Sequence, residues 1–167
     1  MLLSKRYFMQ TLMTALFLLV TSSSNTAFSN GWQSQMLNSV NKLRSDKGLS
    51  PLVLCKPLSS SAQNYAQVMA DENFLSHKGK DGSTPGDRME NSGYKWKKSI
   101  TGSMVAENIA AGQKSVNQVM SAWKKSKGHY KNIVEKRFTH VGFGLARNQG
   151  SKYETYWVQN FGFGAEC

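Results

Sequence analysis

The chain has 167 residues, with 21 lysines and arginines against 10 acidic residues and a formal net charge of +11. That length fits one domain with its own hydrophobic core, and no repeat, low-complexity tract or internal linker interrupts it. The basic balance favours anionic partners such as cell-surface polymers, lipid headgroups or nucleic acid.

The first thirty residues narrow that choice. Lys5 and Arg6 precede a mostly apolar run from Phe8 to Val20, and a Ser/Thr-rich stretch then leads to Ala27-Phe28-Ser29. A positive start, an apolar core and small residues at a cleavage position are the marks of a secretory signal. Residues 1–29 are therefore expected to be removed after Ser29, with a cut nearer Ala27 as the alternative. The apolar core of about 13 residues is too short to span a bilayer well, and no cysteine near its end could carry a lipid. The expectation is an exported protein, periplasmic or secreted, whose mature form is not integral to a membrane. Residues 30–167 make its single domain. Export makes nucleic acid an unsuitable partner. No stretch marks an oligomer interface, so a monomer is expected.

The mature chain keeps a net charge of +9 once Lys5 and Arg6 are gone. Its densest basic patches, KWKK at 95–98 and KSK at 125–127, read as solvated faces. Cys55 and Cys167 are its two cysteines. In an oxidising compartment they can pair, which would pin the terminal residue; free or intermolecular thiols are the alternative.

In chain order, Trp32, Met36, Leu37, Val40 and Leu43 recur at helical spacing, with Arg44 and Lys47 near the end and Gly48 as a stop. Leu52, Val53 and Leu54 read as a short buried linker. Pro57 and the serines at 59–61 open a second helix, whose apolar face runs through Leu58, Ala62, Tyr65, Ala66, Met69 and Ala70 and continues to Phe74 and Leu75. This is the longest amphipathic stretch and the expected partner of a sheet. Residues 79–94 are rich in glycine and turn formers, with room for one short helix over 85–91 that turns Met89 inward. Residues 95–102 are polar and read as an irregular strand or loop. Val105 to Ala110 forms a short element carrying Glu107 inward.

Ser115 then caps a third amphipathic helix through Val116, Val119, Met120 and Trp123. Gly128 interrupts it before another turn or two from His129. In the tail the period changes to two: Val141, Phe143 and Leu145 alternate with small residues, and Tyr153 to Phe161 alternates around Tyr156 and Val158. This predicts an antiparallel hairpin, with Gly142 and Gly144 admitting something packed close against it. Helices followed by a hairpin argue an α+β domain with helices on both sides of a small sheet.

The standard local motifs for zinc proteases, nucleophile elbows, nucleotide loops and CxxC pairs are absent. Three histidines remain to be weighed. His77 reads on its own as a cap at the end of the long helix, favoured by the helix dipole. Glu107 sits among small apolar residues, where a buried carboxylate needs a partner. His129 stands at a break between helical segments that can aim its ring into a cleft. A His–Glu–His group could bind a divalent cation or carry acid–base chemistry, though its members lie too far apart in sequence to form a local motif.

The segments NKLR (41–44), FLSH (74–77), AENIAAG (106–112), AWKKSKGHYKNIV (122–134), FTHVGFG (138–144) and YWVQNFG (156–162) carry a family resemblance. In order and spacing they resemble the CAP superfamily, the cysteine-rich secretory, antigen-five and pathogenesis-related proteins with their bacterial exported relatives. The match covers about residues 32–163. It implies a three-layer α-β-α sandwich with a small, mainly antiparallel sheet and a shallow cleft, which eukaryotic members line with two histidines and two glutamates. His77, Glu107 and His129 resemble three of these. The position of the second glutamate, three residues after Trp123, is held here by Ser126, so the tetrad is incomplete.

Through the resemblance, His77 and His129 could hold Zn²⁺ or another divalent ion weakly, with no cofactor required. Asn108 and Asn132 are implied as scaffolds beside the cleft, Trp123 as packing beneath His129, and His140 as a structural histidine. Asp87 and Arg88 are implied as an ion pair closing the 79–94 loop over His77. The function implied is non-enzymatic binding of a lipid, an anionic envelope polymer or a host-surface component. The alternative is a metal-binding hydrolase or peptidase using His77, Glu107 and His129, with Ser126 one helical turn from His129 as its nucleophile.

Overall fold

The computed structural model describes residues 31–96, 104–163 and 167. The signal-like segment and residues 97–102 of the polar stretch lie outside the described residues. Five helices and four strands follow in the order α1 (Gly31–Ser45), β1 (Val53–Leu54), α2 (Lys56–Asp71), α3 (Pro85–Asn91), β2 (Val105–Ala111), α4 (Val116–Lys125), α5 (Lys127–Ile133), β3 (His140–Asn148) and β4 (Glu154–Gly162). The strands form one sheet in the order β1-β3-β4-β2. β3 and β4 make the hairpin, β2 joins β4 antiparallel, and β1 joins β3 parallel.

Alternation along the strands divides the core into layers. Phe143, Trp157 and Phe161 point to one face, where α1, α4 and α5 cover them with Met36, Val119, Trp123 and Ile133. Tyr156, Val158 and Ile109 point to the other, against Ala62, Tyr65, Ala66 and Met69 of α2. A smaller cluster of Leu58, Met89, Tyr94 and Val105 seats α3 beside α2. Helices cover both sides of the sheet, as the periodicity predicts, in the α-β-α sandwich that the resemblance implies. The two glycines of β3 explain how closely α2 approaches: a methyl on Gly142 would strike the backbone between Leu58 and Ser59, and one on Gly144 the backbone of Ala62 and Gln63.

Three local readings differ from the structure. Val53 and Leu54 are not a buried linker but an edge strand, with Val53 60% exposed. The second helix stops at Asp71, because Asn73 turns to a φ of +53°; Phe74, Leu75 and His77 therefore lie beyond it, and His77 does not cap it. The break after the third helix falls at Ser126, which leaves helical geometry at ψ 120° and serves as the last cap of α4 and the first of α5. Gly128 sits inside α5. Arg44, near the end of α1 as expected, is 1% exposed and donates to Ser50 O, Ile133 O, Glu135 O and Phe138 O over 2.8–3.3 Å. With Asn41, whose side-chain amide pairs both backbone groups of Leu52, it fastens the end of α1 to β1 and to the turn after α5.

Cys55, immediately before α2, forms a disulfide with Cys167, with Cα atoms 5.3 Å apart. The bridge holds the last residue against the start of the central helix. Among the described residues no helix is long and apolar enough to cross a membrane.

Candidate functional site

Strand alternation puts Glu107 on the α2–α3 face of the sheet and Asn108 on the α4–α5 face. The side chain of Glu107 is 1% exposed, so its carboxylate must be compensated within the protein. His77 Nδ1 lies 2.9 Å from Oε1 and Arg88 Nη2 lies 2.9 Å from Oε2. A carboxylate only accepts, so His77 Nδ1 carries the proton of this bond. The His77 side chain is 53% exposed, so the group has a buried charged base and an accessible imidazole tip.

Arg88 organises this corner. Besides Glu107 it donates to Ser83 O and His77 O, each at 3.0 Å, and its guanidinium stacks 3.4 Å above the Tyr65 ring. Tyr65 in turn donates to Ser76 O. The loop from 76 to 83 is thus tied down over α2. Sequence reasoning set Arg88 against its neighbour Asp87. The structure gives Arg88 to Glu107 instead, and uses Asp87 in a capping box with Thr84 that starts α3. Arg88 thereby ties the start of α3 to the His77 backbone and to Glu107.

On the other face, Asn108 Nδ2 donates to His129 O at 3.1 Å and to Gln159 Oε1 at 2.9 Å. Asn132 Nδ2 donates to Asn108 Oδ1 at 2.9 Å. This chain of amides sets α5, and with it His129, at the end of the sheet. Trp123 packs its ring 6.4 Å from that of His129 and donates to Ile109 O. Burial lowers the pKa of His129, and the neighbouring charge of His77 lowers it further. His140 stands apart, its Nδ1 3.0 Å from the Tyr94 hydroxyl; burial lowers it and pushes the Tyr94 phenol up to about 12.

A cleft of about 610 Å³ opens between α3 and β2. His77, Glu107 and Glu90 supply its polar wall, and Pro85, Trp96 and Val105 an apolar one. Among the described residues, no hydrogen bond joins the His129 ring to Glu107 or to Ser126. The Ser126 backbone is occupied as a helix joint.

The donor set does not fit a resident zinc ion. Zinc sites take three or four protein ligands. Both oxygens of Glu107 are held by His77 and Arg88, and no group of three or more His, Cys, Asp or Glu side chains is arranged for a metal among the described residues. Sequence reasoning did not foresee Arg88 as the partner of Glu107, and the signal was slight: a lone arginine in a turn-rich segment, upstream of a carboxylate in an apolar strand.

A family model described as the cysteine-rich secretory protein family, CAP, matches residues 37–161. An uncharacterized protein of Bacillus subtilis, YkwD, is 34% identical over 141 residues, spanning 84% of this chain and 51% of that one. The human Golgi-associated plant pathogenesis-related protein 1 is 29% identical over 127 residues, 75% of this chain and 80% of that protein. Among solved structures, an extracellular protein containing an SCP domain from Bacillus anthracis superposes with a TM-score of 0.69 at 27% identity, covering 81% of this chain and 41% of that one. The chain thus spans about half the length of the Bacillus subtilis relative.

Proposed function

The chain belongs to the cysteine-rich secretory protein (CAP) family, and on that premise we propose that it is an exported, non-enzymatic binding module whose cleft takes a lipid, envelope or host-surface component. Export is supported by the signal-like residues 1–29, by the disulfide, and by the similarity to an extracellular Bacillus anthracis protein. We read residues 1–29 as the removed signal and 30–167 as the domain.

The observation that carries the reading is the double engagement of Glu107. A general base must have a lone pair facing its substrate. Here the Glu107 side chain is 1% exposed, with one oxygen bonded to His77 and the other to Arg88, so the carboxylate is shielded from a substrate, and Ser126 has no hydrogen bond to His129. What remains at the surface is a shaped cleft with an apolar wall at Trp96 and Val105 and a polar one at His77 and Glu90. Such a cleft suits an amphiphilic ligand. His77 and Glu107 line it, whereas Ser126 and His129, the other two residues of the family-type cleft, are not among its lining; Asn108, Asn132 and Trp123 are proposed as supports on the His129 side.

A second reading has one observation in its favour. The bond from His77 Nδ1 to Glu107 orients an exposed imidazole as a base would be oriented in a hydrolase. A broad peptide library distinguishes the two. The binding reading expects no cleavage above that of a His77→Ala/His129→Ala protein. Cleavage abolished by those substitutions would establish the hydrolase.

A further inference from the structure

Charge is unevenly divided between the two helical layers. From Lys56 to Glu90, through α2, α3 and the loop between them, acidic residues outnumber basic ones by five to four. From Asn108 to Val134, through α4 and α5, there are five lysines and no acidic residue. Glu135, the next acidic side chain, is bonded to Arg137 through both of its oxygens.

Four of these lysines stand together. Lys124 and Lys125 end α4, and Lys127 and Lys131 lie one turn apart on α5, across the joint at Ser126. All four are exposed, and among the described residues none forms an ion pair. Their helices are fixed from below by the buried Val119, Trp123 and Ile133 and by the bond from Asn132 to Asn108. Like charges held this close repel one another, a cost that a partner with closely spaced negative charges removes.

The chemistry of the surface narrows the partner. Arginine, which grips a single phosphate or carboxylate through two parallel bonds, is absent from this stretch. Lysines act as point charges and suit repeated anionic groups better than one oriented anion. A face that enters a lipid headgroup layer carries exposed Trp, Phe or Leu, and neither α4 nor α5 exposes a large apolar side chain. Beside α4 lies a shallow hollow of about 630 Å³, where Gln113, Asn117, Gln118 and Ser121 lead up to Lys125. It offers neutral polar groups to hydroxyls and no acidic group to repel an anion.

We propose that the α4–α5 surface docks a linear, hydroxyl-bearing polyanion with a phosphate in each repeat, neutralised by Lys124, Lys125, Lys127 and Lys131. This goes beyond the cleft reading, since none of the four lysines lines that cleft. Export separates the protein from the nucleic acids that share this chemistry.

The test measures binding of the exported protein, disulfide intact, to a water-soluble glycerol phosphate polymer by titration calorimetry at several salt concentrations. Affinity should fall as salt rises, with a log–log slope of about 3, the value for four charges neutralised on a single-stranded polyanion. Lys124→Gln/Lys125→Gln/Lys127→Gln/Lys131→Gln should keep the unfolding midpoint, weaken binding at least about tenfold and flatten the slope. The same charge removed from exposed positions on the α2 side, by Lys56→Gln/Lys78→Gln/Lys80→Gln/Lys152→Gln, should weaken it no more than about twofold, because charges farther off than a Debye length are screened. Trp96→Ala, in the cleft wall, should bind the polymer as the wild type does. Absence of binding overturns the proposal, and so does equal weakening by the two lysine sets, which would mean that net charge alone attracts the polymer. Loss of binding in Trp96→Ala would assign the polymer to the cleft and overturn it too. Tighter binding per phosphate to vesicles of equal parts phosphatidylglycerol and phosphatidylcholine would assign the lysines to a lipid surface instead.

Discussion

Arg88 Nη2 lies 2.9 Å from Glu107 Oε2, and the two side chains are 12% and 1% exposed. Breaking a buried pair by removing one partner leaves an uncompensated charge, which costs about 3–5 kcal/mol. Arg88→Met and Glu107→Gln should each destabilise by about that amount in chemical unfolding. Arg88→Met should be the worse, because it also frees Ser83 O and His77 O. The double substitution should recover part of the loss. Additive losses would show that the pair is not coupled.

The hairpin and three main helices were legible because each buries one periodic face. What was not legible depends on contacts between distant residues. Arg44 reaches carbonyls 89 to 94 positions away and Arg88 a carboxylate 19 away, and neither distance leaves a local pattern. The end of α2 was misplaced because Phe74 and Leu75 prolong its apolar face, while the positive φ of Asn73 ends the helix first. His77, Glu107 and His129 each stand out from their own neighbourhoods, but a cap or a cleft reads equally well there, and the family resemblance is what favours grouping them. The division of roles, Glu107 with Arg88 on one face and Asn108 with His129 on the other, follows from strand alternation once β2 is known.

The glycines of β3 make a packing prediction. Gly142→Ala or Gly144→Ala would force a methyl into α2 backbone, which cannot move aside as a side chain can. Overpacking of this kind costs about 1–3 kcal/mol or more. Gly128→Ala, where the added methyl meets nothing within 4 Å, should be neutral or stabilising in the same thermal unfolding assay.

The Cys55–Cys167 bridge closes a separation of 112 residues and anchors the last residue at the buried start of α2. Its loss, by reduction or by Cys55→Ala/Cys167→Ala, should cost about 2–5 kcal/mol. Denaturant midpoints with and without reductant measure this directly. An unchanged midpoint would contradict the structural role.

Acidification should weaken the fold through its histidines. Burial lowers His129, with the charge of His77 adding to it, and burial lowers His140. Both therefore bind protons more readily in the unfolded chain, where imidazole titrates near about 6.5. Their contribution is complete above that value and is lost as pH falls through the lowered folded values. The thermal midpoint should drop between pH 7 and 5, and His129→Gln with His140→Gln should flatten the slope. Glu135, held at about 2 by hydrogen bonds from Arg137, adds stability that is lost at lower pH, as pH falls from the ordinary carboxylate range through about 2.

The central claim is that the cleft between α3 and β2 holds a ligand without reacting with it. The most direct measurement is a native mass spectrum of the protein recovered from its own exported compartment, beside Trp96→Ala, which removes the apolar wall of that cleft. The account predicts a bound species of discrete mass on the wild-type protein that is lost or strongly depleted in the variant. Identical bare masses for both proteins, or an adduct retained equally by Trp96→Ala, would contradict it.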